Sequence, residues 1–380
     1  MKKLLVVTVI ALLPIFLFSQ ETITKSIMHD GQERSYILYL PANYTGDTGV
    51  PLVLNFHGYT SNATEQMWYG DFRAIADTAG FIIVHPEGTL LNGSTHWNVG
   101  GWTLGSTTDD VGFTSTLIDA LAQQYNIDLN RVYATGMSNG GYMSFLLACQ
   151  LGDKIAAVAS VTGSMTPQIF DNCNPTHPTP VLQVHGLADG VVPYIGAFWT
   201  KPIDDVLAYW TAYNRCSNTP RVTALPNTSL LDGSTVKHEL YEGGDNGTTV
   251  EHYKVTGGGH TWPGTANNSL GTNQDFDASL EIWKFFSRYD LSGVSGVTST
   301  PQQDDDHLSI KVYPNPTRSQ LTIERSNVQP TDYRLMSITG RTLSSGIFTK
   351  KNQGLDLSHL PNGLYILQTG TKSFKIMKAK

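Results

Sequence analysis

Gly136-Met137-Ser138-Asn139-Gly140 places one serine between glycines two positions before and two positions after it. The segment before it, RVYAT, is apolar and β-branched, and the segment after it, YMSFLLA, is an apolar helix former. G-x-S-x-G in that setting predicts a nucleophile elbow, a turn so tight that strand and helix nearly touch. Small residues are needed at both flanks, and the serine is left exposed at a helix N-terminus with the next amide, that of Asn139, facing a developing oxyanion. The pattern alone is common, and a strand–helix turn of no chemical use is its plain alternative. A serine hydroxyl is a weak nucleophile without a base, and the base needs an orienting acid. In this arrangement the acid and then the histidine follow the serine along the chain. Asp189, just past TPVLQVHG, and His260, in GGGHTWPG after TVEHYKV, stand in that order at the ends of strand-like runs. Asp204 and Asp205 compete for the acid role, but a helix start explains them by capping. His57, His85 and His185 also end strands and are expected to hold loops through hydrogen bonds. The second oxyanion donor is expected from the loop NFHGYTSN, at the amide of Tyr59, with Thr60 as fallback. Together these groups predict acyl transfer through a covalent serine intermediate, with no metal and no cofactor.

Such residues must be held by strand ends. Strand-like runs are RSYILYL, VPLVLNFHG, FIIVHPEG, RVYATG, AAVASVTG, TPVLQVHG and TVEHYKVTGGG. Helix-like runs between them cover residues 64–79, 110–125, 140–151, 203–213 and 277–289. Apolar strands alternating with helices predict an α/β fold with a mostly parallel sheet covered on both faces, and chemistry at the carboxyl ends of the strands.

At 380 residues the chain exceeds one average domain. Its charge is uneven: residues 21–290 carry 12 Lys and Arg against 26 Asp and Glu, and residues 308–380 carry 11 against 3. The acidic block argues against a nucleic-acid partner, because phosphate binding needs basic surface. Residues 291–307, LSGVSGVTSTPQQDDDH, read as a solvated linker, its three aspartates included. The start, MKKLLVVTVIALLPIFLFSQ, has the two lysines, short apolar run and polar end of a secretory signal peptide over residues 1–20. Its apolar run falls short of the ~20 residues that span a bilayer, so no stable membrane insertion is expected. Three cysteines suit an exported protein that does not depend on a disulfide framework; either Cys149 and Cys173 pair and leave Cys216 free, or all three are reduced core residues.

HGYTSNA, IIVHPEG, WNVGGW, DDVGF, GMSNGGYMS, HGLADGVVPY and GGGHTWPG, in that order, resemble the secreted esterase family of feruloyl esterases, acetylxylan esterases and polyhydroxybutyrate depolymerases. The resemblance spans roughly residues 22–290, within a catalytic domain expected over residues 21–290. It implies the α/β-hydrolase fold and assigns the catalytic roles to Ser138, Asp189 and His260. Members often carry a cysteine shortly before the segment matching VEHYKV, opposite Cys216, and YEGGDNGTT has none, so no disulfide to Cys216 is expected. The tail, with VYPNPTRSQLTIE, YRLMSITGR, LDLSHLPNGLYIL and KSFKIMKAK, resembles the C-terminal sorting domain of the type IX secretion system of Bacteroidetes. That resemblance implies a small β-sandwich over residues 308–380, secretion or cell-surface display, and the type IX machinery as partner. A carbohydrate-binding module is the alternative for the tail, but it holds no tryptophan.

Among the tryptophans, Trp262 follows His260 by two residues, and Trp97 and Trp102 bracket a glycine-rich loop. These three are expected to form a platform for a phenolic ring, a sugar or a polymer chain, with packing anchors for long loops the equal alternative for Trp97 and Trp102. Trp68, Trp199, Trp210 and Trp283 are expected in the core. Four functions are consistent with this reading. The leading one is an esterase removing feruloyl or acetyl groups from plant polysaccharide. A polyester depolymerase, a binding module that keeps the fold without chemistry, and a serine peptidase are the others.

Overall fold

The computed structural model describes residues 20–266, 271–295, 310–315, 317–325, 330–337, 342–361, 363–369 and 372–378. The expected signal peptide lies outside them, apart from Gln20, as do the three linker aspartates. The chain divides into two units, residues 1–297 and 298–380.

In the first unit the strands are β1 (Glu21–His29), β2 (Gln32–Leu40), β3 (Val50–Phe56), β4 (Ile82–Pro86), β5 (Thr89–Leu91), β6 (Ser94–His96) and β7 (Ile127–Met137). They continue with β8 (Ala157–Val161), β9 (Val181–Gly186), β10 (Arg221–Ala224), β11 (Thr235–Tyr241) and β12 (Val250–Thr256). The helices are α1 (Ala63–Tyr69), α2 (Arg73–Ala79), α3 (Asp110–Gln124), α4 (Asn139–Gln150), α5 (Pro167–Asn172), α6 (Ile203–Tyr213) and α7 (Ala278–Phe286). Among the described residues, ten strands form one sheet in the order β1-β2-β4-β3-β7-β8-β9-β12-β11-β10. The run from β4 to β12 is parallel, and the flanking strands pair antiparallel. This is the α/β-hydrolase arrangement.

The strand period of two builds both faces from one sequence. Leu52, Leu54 and Phe56 of β3 enter a core with Phe113, Leu117 and Leu121 of α3 and Val206 and Trp210 of α6. Val53, between them, enters the opposite core with Phe72, Ala76 of α2 and Ile282, Phe285 and Phe286 of α7. Central strands buried on both faces therefore read as unbroken apolar runs.

The structure departs from the sequence reading in several places. The expected helix over 64–79 is two helices, because α1 stops at Gly70, where a Cβ would lie 2.9–3.0 Å from Gln66 and Trp262. Three strands at the sheet margins, β1, β10 and β11, carry polar alternation and stand outside the expected set. The acidic unit also runs past residue 290: Tyr289–Asp290 (β13) pairs with Gly293–Val294 (β14), and the Leu291 amide donates to the Asn130 carbonyl at 3.0 Å. Leu291 and Val294 pack on the α7 core, so the first residues of the expected linker belong to the fold.

Cys149, near the end of α4, is bonded to Cys173, the residue capping α5, and Cys216 is free. Closing a loop of 24 residues contributes about 3 kcal/mol by constraining the unfolded chain. Thiol titration of the denatured, unreduced protein should give one thiol per chain; three would remove the bridge.

The second unit contains β15 (Ile310–Tyr313), β16 (Gln320–Arg325), β17 (Thr331–Ser337), β18 (Thr342–Phe348), β19 (Asn352–Asp356), β20 (Gly363–Thr369) and β21 (Lys372–Lys378). They form two antiparallel sheets, β15-β16-β19 and β18-β17-β20-β21. Leu321 and Ile323 of the first sheet share one core with Leu335, Phe348, Leu367 and Ile376 of the second, as expected of a small sandwich.

Candidate active site

Ser138 sits between β7 and α4 with φ 53° and ψ −119°, a left-handed-side backbone that a non-glycine residue adopts only when its surroundings enforce it. The flanking glycines show what enforces it. A Cβ on Gly136 would stand 2.5 Å from the Phe56 carbonyl oxygen, and one on Gly140 would stand 2.1 Å from the same atom. The elbow is thus clamped against the end of β3, and the Ser138 amide donates to the Val161 carbonyl on β8 at 2.8 Å. Ser138 remains partly exposed while Asn139 and Gly140 are buried.

Asp189 follows β9, and His260 follows β12, the strand paired in parallel with β9. His260 Nδ1 lies 2.8 Å from Asp189 Oδ2. A carboxylate only accepts, so Nδ1 carries the proton and Nε2 keeps a lone pair. The other carboxylate oxygen, Oδ1, accepts the amides of Val191 and Val192, each at 2.8 Å. Burial alone would raise the Asp189 pKa, but the His260 hydrogen bond, the His260 imidazole itself and the Val192 amide hold it below the usual carboxylate value. His185 Nε2 lies 3.4 Å from Asp189 but donates to the Val192 carbonyl at 2.9 Å, and its Nδ1 faces the Gln183 amide nitrogen at 3.0 Å. Burial lowers the His185 pKa, so it stays neutral and braces the acid's loop.

The loop carrying Tyr59 is tied to the elbow through two residues. His57 Nε2 accepts the Gly88 amide at 2.9 Å, so its Nδ1 donates to the Gly58 carbonyl at 2.7 Å. Burial pushes the His57 pKa down to about 4 and fixes this neutral tautomer. Trp97 then joins the two halves. Its indole donates to the His57 carbonyl at 2.9 Å, its amide donates to Asn139 Oδ1 at 2.7 Å, and its carbonyl accepts from Asn139 Nδ2 at 3.1 Å. The Thr60 amide is engaged by the Thr95 carbonyl at 2.9 Å, which leaves Tyr59 as the loop's candidate donor.

Two of the three expected platform residues are therefore corrected. Trp97 is fully buried as that tie, and Trp262 is buried with its indole donating to Ser279 Oγ at 3.1 Å and its ring edge-on to Phe72. Trp102 alone reaches a cleft. It meets Tyr59, Tyr142 and Trp199 edge-to-face at centroid distances of 5.5, 5.9 and 6.4 Å. With Ser138, Val191, Val192 and Phe198 these rings line an apolar cleft of about 670 Å³. Trp199, expected in the core, is thus a wall of the site. Trp210 is core as expected, Trp283 stacks on Phe81, and Trp68 is 63% exposed.

A second cleft, of about 730 Å³, holds both Ser138 and His260 and is lined beside them by Tyr59, Glu65, Trp68 and Tyr69. Two clefts meeting at one serine suit an ester whose two halves lie on opposite sides of the reacting carbon. Among the described residues, His29, Asp30 and Asp109 form a group with metal-ligand types, away from both clefts.

Asp110, from the DDVGF motif, does structural work. Its buried carboxylate takes the Arg34 guanidinium at 2.7 Å and the Asn98 amide at 2.7 Å, fastening the WNVGGW loop.

A sequence model of the esterase PHB depolymerase family matches residues 34–173. A putative esterase, NocK, of Nocardia uniformis subsp. tsuyamanensis is 31% identical over 267 residues, covering 64% of this chain and 74% of that protein. The chain belongs to the esterase PHB depolymerase family. Feruloyl esterase B of Piromyces equi is 31% identical to this family member over 60% of the chain and 42% of its own length. A bifunctional acetylxylan esterase/xylanase of Neocallimastix patriciarum is 29% identical over 72% of the chain and 36% of its own length. The chain thus spans less than half the length of these two relatives. A model of the secretion system C-terminal sorting domain matches residues 311–379, which marks this family member for secretion or the cell surface. Among the described residues no helix is long and apolar enough to cross a membrane.

Proposed function

We propose that this protein is a secreted serine carboxylic-ester hydrolase that releases an aromatic acyl group of the feruloyl type from plant cell-wall polysaccharide. The observation that carries the reading is the convergence of Ser138 and His260 in one cleft with His260 bonded to Asp189 at 2.8 Å. His260 Nε2 takes the Ser138 proton as the oxygen attacks the ester carbonyl, and the amides of Tyr59 and Asn139 receive the oxyanion. His260 then gives its proton to the leaving alcohol, and water repeats the sequence on the acyl-enzyme. Asp189 fixes the imidazole tautomer throughout. The sorting domain directs the protein to the type IX secretion machinery.

The apolar cleft favours an aromatic acyl group over acetyl. Its volume of about 670 Å³ falls in the range that takes drug-sized ligands, far more than an acetyl group fills, and its walls are edge-on rings. One observation favours a polyester substrate instead. Phe198 and Leu104, which line this cleft, are 95% and 78% exposed, a rim suited to a water-insoluble chain. Purified protein assayed in parallel on methyl ferulate, acetylated xylan and polyhydroxybutyrate separates these. The expected order of kcat/KM has methyl ferulate first. Clearing of polyhydroxybutyrate with no turnover of methyl ferulate would transfer the assignment to a polyester depolymerase. No ester turnover at all would point to a binding module, and cleavage of amides alone to a peptidase.

A further inference from the structure

Resting on that reading, we propose that Trp68 is the platform of a carbohydrate subsite for the leaving-group half of the ester. The direction of proton transfer decides which cleft receives which half. The proton that His260 holds must reach the departing alkoxide oxygen, so the alcohol lies on the imidazole side of Ser138. The cleft with Trp102 and Trp199 contains Ser138 without His260, and the cleft with Trp68 contains both. The alcohol half therefore enters along α1.

Trp68 is built for that position. On α1 the buried stripe is Ala63, Gln66 and Met67, and Trp68 stands one residue off it, 63% exposed. One ring face is covered: the Arg73 guanidinium carbon lies 3.9 Å from the ring centroid. Asp71 grips that guanidinium with two hydrogen bonds, 2.9 Å to Nε and 2.7 Å to Nη2. A stacked, bidentately held guanidinium locks the indole, which reduces the ordering cost of binding on the open face. A sugar ring presents an axial C–H face to stack on such a ring and equatorial hydroxyls to polar groups at its edge. Glu65 and Ser61, joined by a 2.7 Å hydrogen bond, line the same cleft and supply acceptors for those hydroxyls. A polyester's leaving group, lacking hydroxyls along its length, would leave this polar edge unused.

The experiment compares Trp68→Ala with wild type on two esters of one acid, methyl ferulate and a feruloylated arabinoxylo-oligosaccharide. The subsite predicts roughly a tenfold fall in kcat/KM for the oligosaccharide ester, carried mainly by KM, with methyl ferulate within about twofold, the scale of one aromatic stacking contact. Trp68→Phe should recover most of the loss. Equal losses on both esters, or no change on either, would overturn the proposal. If wild type turns over methyl ferulate but binds the sugar ester no better, the subsite fails while the hydrolase reading stands. If wild type turns over neither, the hydrolase reading fails. The subsite is then judged by binding of the unesterified oligosaccharide, followed by tryptophan fluorescence in wild type and Trp68→Ala. A signal lost in the variant supports it, and an unchanged or absent signal refutes it.

Discussion

Ser138→Ala should lower kcat on a simple aryl acetate by on the order of 10⁶, the size seen when a serine hydrolase loses its nucleophile. That factor corresponds to about 8 kcal/mol of activation free energy. In the proposed mechanism the hydroxyl forms the covalent intermediate, and His260 has no other proton to take at that position, so the expected loss is this large. Residual turnover above the uncatalysed rate is expected, since the amides of Tyr59 and Asn139 and the apolar cleft remain. The fold should be retained. The backbone at position 138 keeps φ 53° in either protein, held by the close approach of Gly136 and Gly140 to Phe56, so alanine adds no strain that serine lacked. Melting temperatures within a few degrees, together with unchanged binding of ferulate, would show that chemistry alone was removed.

Asp189→Asn is expected to lower kcat by ~10⁴. Asparagine Oδ1 can still accept the amides of Val191 and Val192, which now bond to Asp189 Oδ1 at 2.8 Å each, so the loop keeps its shape. The atom facing His260 becomes an NH₂ donor. Imidazole then meets it with an unprotonated Nδ1 and carries its proton on Nε2, where it cannot act as the base for Ser138. Substrate binding does not use this contact, so KM should move far less than kcat. A loss below tenfold would mean that another group orients His260.

The geometry of the candidate site was legible in sequence where chemistry and fold demand the same residue. Gly136 and Gly140 had to be glycine for the elbow to close on Phe56, and Asp189 and His260 had to end strands to reach it. The aromatic residues were not legible in this way. Trp97 and Trp102 share the same glycine-rich loop, and that surrounding reads as exposure. The glycines serve close packing instead, since a Cβ on Gly101 would meet Thr166 at 2.8 Å. One indole is consequently the buried tie between two loops and the other a cleft wall. Trp68 was hidden by its large neighbours Met67 and Tyr69, although the stripe of Ala63, Gln66 and Met67 already turns it outward. The central strands announced themselves by unbroken apolar runs. β1, with half-buried Ile23 and Ile27 among exposed polar residues, carries the weaker signal of a sheet margin. The bridge from Cys149 to Cys173 depends on α4 and α5 ending side by side, a tertiary fact that spacing along the chain does not contain.

The direct measurement of the central claim is mass spectrometry of the protein after reaction with a fluorophosphonate. The account predicts one adduct per chain, on Ser138 within the peptide Val132–Lys154, and no adduct in Ser138→Ala. Labelling at a different serine, or a Ser138→Ala protein that still reacts to one equivalent, would contradict it.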